Sequence, residues 1–465
     1  MITHIRIDGF KAFRNFEMSF TPLTVIAGAN ASGKSNLFDA LQLLSDLSHK
    51  ELKDSFRKQR GAALELFTQF EDNKYAQEMF FEVDMLVDKN VKDSWGGEAM
   101  LKYTRLRYQL KIARRKNGND IDKLVIVHES LDPIRPQKDE WVKNNLPKST
   151  ADNWRPKVKS GRRSKPYIYT EKRNGIPTIK LPQDGRQGGK ETPANIVLRT
   201  VLSGIDNIDF PHVFAAREEI KKWKFLQLNP EDLRAPTQKQ IGMTDIITQS
   251  GKNLAAALFR IAQEDKYYLK EISRQMNKLL PNIVEVEIFD DKIHSQYIIK
   301  VTNNDGKIYS SRVLSEGTLR ILTLCIFLFD NEHKGLLCYE EPENGIHPFR
   351  VKSLTELLVE LCIDFNDEDA LLRQILVNTH SPVLVGELIN WKSDNRVSVW
   401  FSQLNTLLTD FDGEKVKINI TKMLPVLKED SFKNHLSLFP ELTESEKKMT
   451  LTNVKKYLQT TELNK

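Results

Sequence analysis

Residues 28–35 read GANASGKS and follow the apolar run Leu23–Ala27. A glycine, four residues and then Gly-Lys-Ser is the spacing of a phosphate-binding loop. Gly28 and Gly33 let the backbone turn its amides inward around phosphates. Lys34 neutralises phosphate charge, Ser35 offers a hydroxyl to Mg2+, and the following helix aims its N-terminus at the same anion. A second run, LLCYEEPENGIHP at 336–348, is apolar and ends in two acids. At the C-terminal end of a strand both carboxylates can reach a bound ligand. Glu340 then suits a Mg2+ shell and Glu341 the polarisation of water, with Pro342 and Gly345 turning the chain away; in isolation the pair also reads as an exposed acidic turn. In VLSEGTLRIL (313–322), Ser315 and Gly317 open an apolar helix whose free amides suit phosphate, although an ordinary capped helix start has the same pattern. In QILVNTHSP (374–382) an apolar strand ends at Asn378-Thr379-His380. A histidine there can contact a γ-phosphate, or be a hydrogen-bonded structural group.

Strands and helices must hold these groups in place. ITHIRIDGF and FEMSF alternate as strands do, and LTVIA reads as a short buried strand. From Lys34, the positions of Leu37, Leu41 and Leu44 give one apolar helical face. Further strands are expected at 79–87, 105–112, 123–130, 283–289 and 295–303, with a short strand pair within 167–181. Helices are expected at 194–204 and 251–280. No heptad pattern is sustained, so no long coiled coil is expected.

The chain has 465 residues, 40% hydrophobic and 28% charged, with a net charge of +6. These values suit a globular protein of two to three domains or one large elaborated domain. From Arg135 to Lys190 there are 15 Lys/Arg against 5 Asp/Glu, a balance of +10, so the remainder sums to about −4. Trp141, Trp154, Tyr167 and Tyr169 are interspersed there. The stretch reads either as a surface for nucleic acid or an acidic partner, or as a solvated loop. Cys325, Cys338 and Cys362 lie in apolar segments without ligand spacing and read as reduced core thiols. The N-terminus has no signal-peptide core, and the run 321–329 is half a membrane span, so a cytoplasmic protein with no membrane crossing is expected.

The order of the four motifs is that of the ATP-binding-cassette (ABC) ATPases, and LSEGTLR resembles their signature. Within that superfamily the chain resembles the RecF/SMC-related branch, in the bacterial AAA-family group akin to the ATPase head of OLD nucleases. The resemblance covers GFKAFRNFEMSFTPLTVIAGANASGKSNLFDALQLL, LSEGTLRILTL, EEPENGIHP and VNTHSPVLV. It implies an α/β P-loop NTPase head with a mixed-sheet lobe and no long coiled coil. It implies ATP and Mg2+ as ligands. Gly28, Asn30, Ser32, Gly33, Lys34, Ser35 and Asn36 would hold the nucleotide, with Ser35 and Glu340 on the metal. Glu341 would be the catalytic base and His380 the switch. Lys11 and Phe13 would touch the nucleotide, and Ser315 and Gly317 would contact the γ-phosphate of ATP on the other subunit. Asn344 to His347 would form the loop crossing the dimer interface. Glu340 stands where many relatives have Asp. The metal-sensing glutamine is not evident, with Gln69 and Gln77 as candidates.

The organisation expected is a head N-terminal lobe at 1–131, a basic insertion at 132–195 and a linking region at 196–300. The head C-terminal lobe follows at 301–400, then an extension at 401–465. About 280 residues separate loop from signature, so the first lobe and its insertions are interposed. Each motif occurs once, and the resemblance, in which the signature of one subunit completes the site of its partner, implies an ATP-dependent head-to-head homodimer or higher oligomer. The acidic pair of DFD (410–412) lies in a tail too short for an OLD-type nuclease domain, and FDGEK reads as a hairpin turn. The end, 443–462, reads as a short helix. The leading expectation is an ATPase subunit controlling a separate nuclease or toxin in antiphage defence, as in Septu or PARIS. The alternative is a RecF-like DNA-maintenance ATPase. A transporter's soluble half is disfavoured by the long interposed lobe, and a binding module without turnover stands as a further contrast.

Overall fold

The runs Leu23–Ala27, Gly335–Glu340 and Arg373–Thr379 are buried almost throughout, as parallel strands covered on both faces are. In the computed structural model they form the middle of a six-stranded sheet. Its order is Lys224–Leu226, Gly335–Glu340, Arg373–Thr379, Leu23–Ala27, Val397–Phe411, Glu414–Pro425. The first five strands are parallel, and the sixth returns antiparallel from the fifth. Thus the first of these strands in sequence lies between two of the last, which brings motifs from both ends of the chain together. The structure describes residues 1–71, 74–116, 122–157, 166–182, 189–239, 245–391, 393–411 and 413–426.

Alternate residues of the sheet feed two cores. Ile26, Leu336, Cys338 and Leu376 face one that contains the helix Lys34–Leu47, the helix Pro211–Lys221 and the antiparallel lobe. Val25, Leu337, Tyr339 and Val377 face the other, which contains helices Leu254–Glu264, Tyr267–Leu279, Glu316–Phe329, Val351–Glu360 and Pro382–Asn390. The antiparallel lobe has the order Asp122–Pro133, Arg105–Lys116, Glu78–Leu86, Ile2–Asp8, Phe16–Ser19. Its strands alternate between buried and wetter positions, as expected of a sheet with one solvated face.

The expected strands are present, and Arg105–Lys116 and Asp122–Pro133 run longer than their apolar cores. The 251–280 helix is two helices, broken at Asp265 and Lys266. The helix expected at 194–204 is absent and only two short 3-10 turns occur, at Ala194–Ile196 and Leu202–Gly204. The reason is a competing acceptor: the amides of Val201 and Leu202 donate to the buried Glu129 carboxylate, 2.8 Å each, rather than to helix carbonyls.

The basic stretch folds in part. The expected strand pair, Tyr169–Arg173 with Ile176–Pro182, gains a third strand, Gly189–Pro193. Three of its four aromatic residues pack against the rest of the protein. Trp141 and Trp154 meet Phe365 edge-on, and Tyr167 stacks on His212 at 4.2 Å. Trp141 also donates to Phe20 O at 2.7 Å, so these rings fasten the insertion to both lobes. Arg105 forks onto Asp139 at 3.0 and 3.1 Å, with both side chains buried. All three cysteines are buried and unpaired. The boundary expected at 401 falls inside the sheet strand Val397–Phe411, and Phe411 pairs with Glu414 where the FDGEK hairpin turn is expected. Asp412 and the helix expected at 443–462 lie outside the described residues. Among the described residues no helix is long and apolar enough to cross a membrane.

Candidate active site

The loop 28–35 connects the strand Leu23–Ala27 to the helix Lys34–Leu47, and Gly33 caps that helix with φ +92°. A side chain at Gly33 would be strained, and its methyl would come within 2.9 Å of the Thr421 Cβ, closer still to Oγ1. Lys34 folds back over the loop and donates to the carbonyls of Gly28 and Ala29, 2.8 Å each. Burial pushes its ammonium below the usual lysine range, opposed by the charge of Glu341. Asn30 is exposed at the rim, while Ser35 and Asn36 are half-buried in the first helical turn. Ser32 is buried and its hydroxyl has no partner.

Adjacent strands deliver the other groups to the same end of the sheet. Glu340 pairs in register with Asn378, and Asn378 with Ile26, so the paired acids, Asn378 to His380 and the loop emerge side by side. Asn378 donates to the Ser35 Oγ at 3.4 Å, and its carbonyl accepts from the Glu341 amide at 2.8 Å. Glu341 has φ +49°, a left-handed conformation that non-glycine residues adopt at a cost of about 1–2 kcal/mol. Its carboxylate is held from two sides, by Asn344 Nδ2 at 2.6 Å and His380 Nδ1 at 2.7 Å. Glu340 is half-buried. Burial raises its carboxyl above the usual range, with the charge of Arg60 opposing and those of Asp39 and Glu341 assisting.

The signature turn lies on a separate element. Ser315 caps the helix Glu316–Phe329, its hydroxyl accepting from Thr318 N at 3.2 Å, and it is exposed. Gly317 is pressed against the loop after the acids: a methyl there would stand 2.9 Å from the carbonyl carbon of Gly345. Lys11 is ion-paired with Asp39 of the loop's helix at 2.5 Å, so its ammonium sits beside the site. Phe13 corrects the expectation: its ring is fully buried against Phe16, with centroids 4.3 Å apart, and offers nothing to a nucleotide.

Three residues of the site were missed in the sequence. Gln227 follows the strand Lys224–Leu226, which is parallel to Gly335–Glu340. It lines a cavity of about 170 Å³ with Asp39, Arg60, Gln249 and Glu340. Gln69 and Gln77 are exposed on the antiparallel lobe, whereas Gln227 lies beside Glu340. Glu343 is buried and accepts from Thr379 Oγ1 at 2.5 Å, with burial raising its carboxyl; it ties the acidic loop to the neighbouring strand. Asn378 is the third, bridging Ser35 and the Glu341 backbone.

A triphosphate with a divalent cation fits these residues. Ser32 Oγ and Asn378 Oδ1 are buried polar atoms without partners, and such atoms in native proteins call for a bound group. The loop supplies a helix N-terminus and a lysine, and the adjacent acids supply hard oxygen ligands.

Residues 4–284 match the family described as "AAA domain", and residues 205–386 match "AAA domain, putative AbiEii toxin, Type IV TA system". Among solved structures, an SMC head bound to the C-winged helix domain of ScpA is similar at 13% identity, covering 92% of this chain and 99% of that one, with a TM-score of 0.48. The SMC head domain from Thermotoga maritima is similar at 12% identity over 92% and 99%, TM-score 0.39. An SMC head from Pyrococcus furiosus with an extended coiled coil, bound to the C-terminal domain of ScpA, shows 13% identity over 94% and 99%, TM-score 0.43. No curated protein matches the chain. The AAA-domain match spans more than half of the residues, and the chain belongs to that family.

Proposed function

We propose that this ATPase is a cytoplasmic switch subunit. Two copies close head-to-head on ATP, hydrolyse it, and thereby control a separate nuclease or toxin in a bacterial antiphage defence system. The observation that carries the reading is the division of parts. Lys34, Ser35, Glu340, Glu341 and His380 converge at one end of the parallel sheet, while the Ser315 turn is exposed on another element. A second copy would supply its Ser315 and Gly317 to the γ-phosphate.

In this account the loop amides and Lys34 hold the phosphates, and Lys34 leaves the Gly28 and Ala29 carbonyls to do so. Glu341 orients and polarises the attacking water, and its left-handed backbone and the bonds from Asn344 and His380 fix that carboxylate. His380 also senses whether the γ-phosphate is present. Mg2+, held by Ser35 and Glu340, would shield phosphate charge. Loss of the γ-phosphate removes contacts shared by two subunits, which turns hydrolysis into a change of assembly. The description of the family matched by residues 205–386, which names a putative AbiEii toxin of a Type IV TA system, favours a defence role.

A RecF-like role on DNA is the second reading, favoured by the +10 balance across 135–190. The test is to purify tagged Glu341→Gln protein from its native host. A stoichiometric nuclease or toxin, released when ADP replaces ATP, supports the switch. DNA-stimulated, salt-sensitive hydrolysis with no protein partner supports the second reading.

A further inference from the structure

The three-stranded sheet of the basic stretch has an open edge. Its order is Tyr169–Arg173, Ile176–Pro182, Gly189–Pro193, so the last strand has a neighbour on one side only, and four of its five residues are exposed. In an antiparallel pair, residues that exchange two hydrogen bonds alternate with residues that exchange none. Pro182 and Pro193 have no N–H, so the bonded pairs are Leu181 with Lys190 and Ile179 with Thr192. Glu191, between them, therefore turns its N–H and C=O outward, and among the described residues neither group has a partner. An edge of this kind is a template for a further strand.

The sheet face that carries the bonded pairs lines a cavity of about 410 Å³, within the range of ligand-binding cavities. Ile179, Leu181, Val197, Val201 and Ile205 give it apolar walls, and Glu51, Lys190 and Arg199 add charge. Arg199 reaches Glu51 at 3.5 Å, whereas Lys190 has no carboxylate partner among the described residues. The opposite face of the sheet differs, since there Arg173 and Lys180 share Glu191, at 2.7 and 3.2 Å. The cavity face thus combines apolar walls with an unmatched positive charge. Apolar surface also runs on past the cavity, where Ile196 and Leu198 are each 61% exposed. A small molecule would leave that surface and the open edge uncovered, but an extended peptide covers both. The wall 197–205 is tied to the end of the helix Lys34–Leu47: Thr200 Oγ1 donates to Leu47 O at 3.0 Å, and Leu52 N donates to Leu198 O at 2.9 Å. The cavity therefore lies at the far end of that helix from Lys34, about 20 Å along its axis at ~1.5 Å per residue.

We propose that this edge and cavity form a docking site for an extended segment of a partner protein that carries an acidic and an apolar side chain on one face. The segment adds a strand to Gly189–Pro193 and exchanges backbone hydrogen bonds with Glu191. Its residues on either side of that contact both point to the cavity face. The one opposite Lys190 is acidic, and the one opposite Thr192 is apolar and fills the cavity. The motif expected is therefore an acid and an apolar residue separated by one position. The inference goes beyond the ATPase reading, and the docking needs no nucleotide.

The test titrates the full chain, without nucleotide, into fluorescein-labelled heptapeptides and follows anisotropy. The probes carry a central Glu-Thr-Leu, Glu-Thr-Ile or Glu-Thr-Phe, in either order. Gly204→Phe is the blocking variant: Gly204 lines the cavity and a Cβ there meets nothing within 4 Å, so the ring enters open space. The expected result is saturable binding of at least one probe, weakened at least about tenfold by Gly204→Phe, the scale of one buried apolar side chain. N-methylation of the central Thr should abolish it by removing the N–H that meets the Glu191 carbonyl. A probe with Lys in place of Glu should bind native protein poorly and Lys190→Glu protein better. No saturable binding of any probe below about 1 mM overturns the site, as does equal binding to native and Gly204→Phe protein or equal binding of the N-methylated probe. Binding that appears only once residues 427–465 are removed assigns the site to the chain's own C-terminal segment and overturns the partner. Should Gly204→Phe lower the melting temperature, the charge exchange at exposed Lys190 decides, and an unreversed preference overturns the proposal.

Discussion

Gly317→Ala isolates the contact between the signature turn and the loop that carries Glu341 and Asn344. The added methyl would stand 2.9 Å from the Gly345 carbonyl carbon, closer still to its oxygen, and both are backbone atoms. Relaxed carbon contacts are about 3.5–4.0 Å, so the loop must retreat by about 1 Å. Gly345 has φ +74°, and Ile346 N already bonds Glu343 O at 3.0 Å, so the turn cannot simply swing aside. Overpacking of this kind destabilises by about 1–3 kcal/mol. A displacement near 1 Å of a reacting group lowers turnover about 100-fold. The loss should appear in kcat rather than in nucleotide affinity, because the phosphate loop is on another element. Steady-state phosphate release and calorimetric ATP binding separate the two. Ser315→Ala provides the contrast, since it removes a cap hydrogen bond and exposed hydroxyl without crowding Gly345. A Gly317→Ala protein with native turnover and native melting temperature would refute the coupling inferred from this contact.

Gln227→Ala should lower turnover about 100-fold with ATP affinity and melting temperature preserved, as measured by phosphate release and calorimetry, the size of effect expected when a positioning group is lost. Asp139→Ala should destabilise by about 3–5 kcal/mol in denaturant titrations, because it strands the buried Arg105 guanidinium and removes the cap on Val142 N. Burial raises the Glu129 carboxyl to about 7. In the unfolded chain it titrates near 4.5, so the folded state binds the extra proton between these values and stability falls as pH rises through that window, by up to about 3 kcal/mol. Glu129→Gln should flatten that slope, and an unchanged slope would show that another group is responsible.

The phosphate loop, the paired acids and the terminal histidine were legible in the sequence because each is a local pattern at a strand end. What the sequence hid depends on distant partners. Gln227 has no local signature and gains its meaning from lying beside Gly335–Glu340. Phe13 sits in a stretch that resembles a nucleotide contact, but Phe16 and the antiparallel lobe bury its ring. Trp141 and Tyr167 were read with the positive charge around them, whereas Phe20, Phe365 and His212 claim their faces. The segment 194–204 has helical spacing, but a buried carboxylate from the strand Asp122–Pro133 captures two of its amides. In the hairpin after Val397 the turn was evident, while its role as a wall of the phosphate loop was not, because Ser402 and Thr421 touch residues at the other end of the chain.

The central claim is that ATP joins two copies and that Glu341 drives their separation. The direct measurement is the solution mass of Glu341→Gln protein by light scattering, with ATP and then with ADP, alongside its rate of phosphate release. The account predicts twice the 53.7 kDa monomer mass with ATP, a single-copy mass with ADP, and turnover at least about 100-fold below native. A mass that does not respond to ATP, with hydrolysis as fast as in native protein, would contradict it.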